Sequence, residues 1–243
     1  MSEALQVEIW SDVVCPWCYI GKRRFEAAAV TSGVPVEVTW RSFQLDPTAP
    51  RVSTEDVATH LGRKYGGGRE NGLAMNARVS EVAAQDGLDY HLDDAKLVNT
   101  VDAHRLLHLA HAEGAPGAQD ALKERLLSAY FVETLDVGDH EVLATLGTDV
   151  GLPAERVRAV LASQEFAADV DADAAEAAAL GANGVPFFVI DRKYGVSGAQ
   201  PAELFEQALK QAWDERRPAL VSPLGVVASD ASSEAEVCGP EGC

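Results

Sequence analysis

Apolar and polar residues alternate in LQVEIWS, 5–11, the period of a strand with one buried face. The stretch CPWCYIGKRRFEAAAVTSG, 15–33, has helical spacing, with Pro16 at an early helical position and Gly33 as a stop. VPVEVTWRSFQL, 34–45, is rich in β-branched and aromatic residues and predicts a second strand. Strand, helix and strand in that order make a βαβ unit, whose two strands run parallel.

From Ser53 to about Leu180 strand character almost disappears. STEDVATHLGRKYG opens on Ser53 as a cap, with Asp56 three residues later. Further helical patterns cover roughly 69–86, 94–113, 117–132, 139–149, 154–162 and 164–180. GGG at 66–68, GAPG at 114–117 and GLP at 151–153 break them. Strand character returns in VPFFVID, 185–191, followed by a turn at RKYG, a short strand VSG and a helix with Pro201 near its start. The outer segments thus read β-α-β and, later, β-β-α. The fold class this predicts is α/β: a thioredoxin fold interrupted by a large all-helical insertion domain. The expected division is 1–45 for the first half of the thioredoxin domain, 46–180 for the insertion, 181–220 for the second half and 221–243 for a flexible tail.

The length of 243 residues, 47 % hydrophobic and 24 % charged, suits a globular protein with a well-buried core. Net charge of −18 argues against nucleic acid and anionic membranes, because both need a basic face. MSEALQVEIW does not read as a signal peptide and no run approaches the length of a membrane span, so the expected compartment is the cytosol.

Four cysteines fall in two close pairs, Cys15/Cys18 and Cys238/Cys243, with none between. Structural disulfides are rare in a reducing cytosol, so paired cysteines there point to redox or metal chemistry. Cys15 stands at a strand-to-helix junction. The unpaired N–H groups of a first helical turn favour an anion, so its thiolate is expected to be favoured over the thiol. Cys18 lies one turn on, close enough to close a disulfide. On this reading Cys15 is the exposed nucleophile, and Cys18 is the more buried resolving thiol. Two other readings are open: a pair of small buried hydrophobes, or half of a zinc site completed by Cys238 and Cys243.

SDVVCPWCYIGK, NTVDAHRLLHLA, LLSAYFVETLDVGD and GANGVPFFVIDRKYGVSGAQP together resemble the FrnE group of DsbA-like thioredoxin-fold oxidoreductases, over about residues 5–213. The resemblance implies a Cys-Pro-Trp-Cys redox centre at Cys15 and Cys18, acting on protein or small-molecule thiols and disulfides. A sister branch holds glutathione-dependent 2-hydroxychromene-2-carboxylate isomerases and kappa-class transferases, typically with serine at the position of Cys15. Cysteine at both positions favours redox chemistry, without a resident cofactor but with glutathione as a possible partner. Thioredoxin-like folds place a cis-proline loop opposite the cysteines, and Val185–Pro186 matches it. Pro16, Trp17, Val185, Pro186 and His104 are therefore expected to contact substrate. Because Trp17 brings no positive charge, a milder couple than a periplasmic oxidase is expected, suited to reduction or isomerisation.

The Cys238-Gly-Pro-Glu-Gly-Cys243 segment has turn-forming residues between its cysteines. A flexible linker of about 16 residues spans roughly 22 Å, enough to carry electrons to and from the first pair. His104, His108 and His111 share a helix face, but no HExxH glutamate accompanies them, so helix packing is preferred to metal binding. GRKYGGGRENG lacks the strand and Lys-Ser/Thr of a phosphate loop. Asp12 fits a turn or cap and is left out of the catalytic set.

Overall fold

The structure, a computed structural model, describes residues 4–51 and 55–216. The tail with Cys238 and Cys243, and the cap expected at Ser53, lie outside the described residues.

β1 (Leu5–Ser11) leads into α1 (Pro16–Ser32), which ends where Gly33 takes a left-handed φ of 67°, and β2 (Val36–Ser42) follows. A helical series comes next: α2 (Val57–Tyr65), α3 (Gly68–Gln85), α4 (Val101–Glu113), α5 (Ala118–Phe131), α6 (His140–Asp149), α7 (Ala154–Leu161) and α8 (Ala167–Ala179). The chain then returns through β3 (Phe187–Ile190), β4 (Tyr194–Ser197) and α9 (Ala202–Arg216). The sheet order is β2-β1-β3-β4, with β1 parallel to β2 and both other pairings antiparallel.

The expected α/β fold is therefore present, and the differences lie at element ends. β2 stops at Ser42 rather than running to residue 45, because the Leu45 N–H donates to Asp12 Oδ2 at 2.8 Å instead of to a strand. α2 is capped by Asp56, which accepts from the Thr59 N–H at 2.8 Å. α4 begins at Val101, whose N–H is taken by Asn99 Oδ1 at 3.0 Å, and the residues ahead form only a short 3₁₀ turn at Leu92–Asp94.

α1 divides the core. Phe25 and Ala28 pack with Leu5, Val7 and Ile9 of β1 and with Phe205 and Leu209 of α9. One turn earlier, Tyr19 and Ile20 join the helical core around Leu106, Leu126 and Phe131. Burial on both sides fixes α1 between sheet and insertion, and the Cys-Pro-Trp-Cys turn sits at its N-terminal end. β2 is an edge strand, and α5 covers it. Gln119 accepts from the Trp40 N–H at 3.0 Å and donates to the Trp40 carbonyl at 2.9 Å, replacing a missing neighbour strand.

Candidate active site

Cys15 immediately precedes α1 with an extended backbone (φ −88°, ψ 113°), and its carbonyl accepts from the Cys18 N–H at 3.0 Å. Pro16 occupies the first helical position, where its missing N–H costs nothing. The structure corrects the expectation that Cys15 is exposed: its relative exposure is 3 %, against 1 % for Cys18. The turn is covered from two sides. The Tyr90 hydroxyl donates to the Pro16 carbonyl at 2.7 Å, and Cys15 Sγ lies 3.5 Å from the Val185 carbonyl, to which its thiol donates.

What distinguishes the two cysteines is a cavity of about 600 Å³. Cys15 lines it together with Pro16, Trp17 and Val185, whereas Cys18 stands behind. Its far wall is apolar, from Leu61 of α2 and Met75, Val79 and Val82 of α3, while Lys64 and Arg78 add two exposed cations. The Val185–Pro186 peptide bond is cis. Pro186 is buried behind this surface, and Gly21 of α1 makes room for it: a Cβ there would stand 2.9 Å from Pro186 Cγ.

His104 does not contact this cavity. It is fully buried on α4, and its Nε2 stands 3.1 Å from Asp12 Oδ1, so the substrate contact expected of it is corrected to a bond behind the site. Asp12, passed over in the sequence, is the hub: its carboxylate also accepts from the Val13 and Leu45 N–H groups, each at 2.8 Å. His108 turns away to Asp173 and Ser42. Among the described residues, no three His, Cys, Asp or Glu side chains are placed to hold a metal ion.

Electrostatics also separates the pair. The Cys15 thiol is pushed well up, first by its hydrogen bond with Cys18 and then by burial. Burial opposes a Cys18 anion most strongly, yet its thiol is drawn down by Cys15, by the Lys123 ammonium and by the Ser11 hydroxyl. Stabilisation of the anion is thus concentrated behind Cys18 rather than at the helix end occupied by Cys15. Lys123 was legible as an anomaly. It falls on the face of α5 that carries Gln119, Leu122, Leu126 and Leu127, all of them buried.

Residues 6–210 match the family described as DSBA-like thioredoxin domain. The chain is 46 % identical to a probable DsbA oxidoreductase of Streptomyces coelicolor, whose crystal structure superposes with a TM-score of 0.81 and 98 % of each chain covered. It is 27 % identical over 213 residues to the uncharacterized protein YwbO of Bacillus subtilis, covering 84 % of this chain and 96 % of that protein. A 2-hydroxychromene-2-carboxylate isomerase, 14 % identical, shares the fold with a TM-score of 0.65 over 87 % of this chain and 97 % of that one. With the paired cysteines at the head of α1 and a cis-proline facing them, the chain belongs to the DSBA-like thioredoxin domain family and is a thiol–disulfide oxidoreductase.

Proposed function

We propose that this enzyme, of the FrnE group within its family, reduces or isomerises disulfides in the cytosol through Cys15 and Cys18. The observation that carries this reading is the asymmetry of the pair: Cys15 lines the cavity against Val185, and Cys18 is sealed behind it. A substrate disulfide seated in the cavity is attacked by Cys15 as its thiol gives up its proton. A Cys15–substrate bond forms as the substrate S–S bond breaks, and the leaving thiolate takes a proton. The Cys18 thiolate then attacks Cys15 Sγ, the second substrate thiol leaves, and a Cys15–Cys18 disulfide remains. Two electrons have passed to the substrate, and a reduced thiol partner returns them.

The cavity favours substrates presenting an apolar group beside the sulfur, whether a peptide side chain or a small molecule. Glutathione is a fitting small-thiol partner, because its carboxylates match the Lys64 and Arg78 cations. The cytosolic setting agrees with cysteines used for exchange rather than for structural bridges. Cys238 and Cys243 lie outside the described residues, and their proposed role is to relay electrons to the first pair. Replacing both by serine should slow turnover with a macromolecular reductant, and unchanged turnover would remove the relay.

The primary test is alkylation and mass spectrometry across glutathione buffers. Cys15 and Cys18 should titrate together as one two-electron couple between about −150 and −300 mV. Cys15→Ser should abolish exchange, and Cys18→Ser should trap a Cys15 mixed disulfide. If Cys15→Ser retains turnover of a small-molecule substrate with glutathione, the glutathione-dependent isomerase reading replaces this one.

A further inference from the structure

Lys123 is fully buried, which is costly for an ammonium group. Burial is usually offset by a carboxylate, yet among the described residues Lys123 makes no ion pair. Its Nζ donates to the Ser11 carbonyl at 3.4 Å and stands 5.3 Å from the centre of the Trp40 ring. Neither contact replaces a counter-ion. Beside it, the Ser11 hydroxyl is buried without a protein hydrogen-bond partner. An ammonium without a counter-ion, on α5, and a hydroxyl without a partner, ending β1, therefore meet at the same place. Both lie on the Cys18 side of the cysteine pair, away from the cavity.

We propose that Lys123 and Ser11 form a buried anion pocket for the Cys18 sulfur, and that Lys123 is the positioning residue that keeps Cys18 a thiolate for the resolving step. This rests on the exchange reading above and assigns that reading's second step to a residue of the helical insertion. When Cys18 attacks Cys15 Sγ, the Cys18–Cys15 bond forms, the Cys15–substrate bond breaks, and the departing substrate thiolate takes a proton from water. Lys123 keeps its own proton throughout. Its charge makes the anion available, and the Ser11 hydroxyl supplies the donor. Once the disulfide has formed, the pocket faces a neutral sulfur and loses its ligand, which favours return to the reduced state.

The other charged or titratable groups around this pocket are few. Asp12 in the loop after β1, Cys15 just ahead of α1, Lys22 on α1 and His104 on α4 act on Lys123, and Tyr90 faces the two sulfurs. Burial depresses the Lys123 ammonium to about 8, against the attraction of Cys18, Asp12 and Cys15. It therefore remains largely charged at neutral pH, and the pocket weakens in alkali.

The test mixes reduced enzyme carrying Cys238→Ser and Cys243→Ser, so that only the first pair reacts, with 5,5′-dithiobis(2-nitrobenzoate) and follows release of thionitrobenzoate across pH. The first phase reports attack by Cys15, and the second reports resolution by Cys18. In Lys123→Met, which preserves side-chain length, the second phase should slow about tenfold at pH 7 and its midpoint should rise by about one unit. The first phase should change less than the second. Ser11→Ala should move the second phase the same way by a smaller factor, and it serves should Lys123→Met fold poorly. An unmoved second-phase midpoint in both variants, or equal slowing of both phases, overturns the pocket. Release of only one equivalent by the same enzyme with Lys123 and Ser11 intact would instead overturn the exchange reading itself.

Discussion

His104 donates its Nε2–H to Asp12 Oδ1 at 3.1 Å, and both side chains are sealed from solvent. His104 Nδ1 has no partner. A second N–H there would be a buried donor without an acceptor, so the imidazole is neutral, with its proton on Nε2. This bond joins α4 to the loop that delivers Cys15, and through Leu45 it also ties down the end of β2.

The pair sets the acid response of the protein. Burial holds the His104 pKa below its ordinary 6.5, so protonation favours the unfolded chain and stability falls as pH drops below that value. Burial raises the Asp12 carboxyl, but His104 and the Leu45 N–H outweigh it and leave the pKa below 3.8. Its contribution is thus present above about pH 4 and lost below. Urea unfolding between pH 7 and 5 should show stability declining by up to about 1.4 kcal/mol per unit. His104→Gln keeps a donor for Asp12 and removes the titration, so this limb should flatten. A wild type equally stable at pH 7 and pH 5 would contradict the neutral imidazole.

Gly21 lies inside α1, where alanine would ordinarily add about 1 kcal/mol of helix stability. Here the new methyl would meet Pro186 Cγ at 2.9 Å and Phe188 at 3.4 Å, and overpacking of that kind costs about 1–3 kcal/mol. Gly21→Ala should therefore be neutral to destabilising, and it should slow disulfide exchange by moving Val185 away from Cys15. A variant that gains the full helix increment with unchanged exchange would show that the cis-proline loop yields freely.

Much of the fold was legible because its signals are local. Pro16 and Gly33 bracket α1, and LQVEIWS spans β1 from end to end, although the strand is buried on both faces rather than on one. What the sequence concealed is decided by partners far away in the chain. β2 ends early because Leu45 answers to Asp12, 33 positions back. The role of Asp12 depends on His104, 92 positions on, and nothing in the local sequence marks it as more than a turn or cap. Cys15 looked exposed because Tyr90 and Val185, which help cover it, are both distant in sequence. Lys123 reads as polar until the apolar face around it is drawn.

Arg105 separates the worth of burial from that of charge pairing. Its guanidinium is buried in α4, where it donates to the Glu165 carbonyl at 2.7 Å, the Ser163 carbonyl at 3.0 Å and the Val160 carbonyl, and pairs with Asp102 at 2.7 Å. One side chain thus holds the α7–α8 connection against α4. Arg105→Met would leave three carbonyls without this donor, while Asp102 keeps Arg51 and His140, at a cost of about 1–3 kcal/mol. Arg156 also makes paired contacts, to Glu113 and Glu165, but in solvent. Water replaces such contacts readily, so Arg156→Ala should leave the unfolding midpoint almost unmoved. Urea midpoints for the two variants measured side by side decide the matter. Similar losses would mean that the connection is held by charge rather than by the satisfied carbonyls.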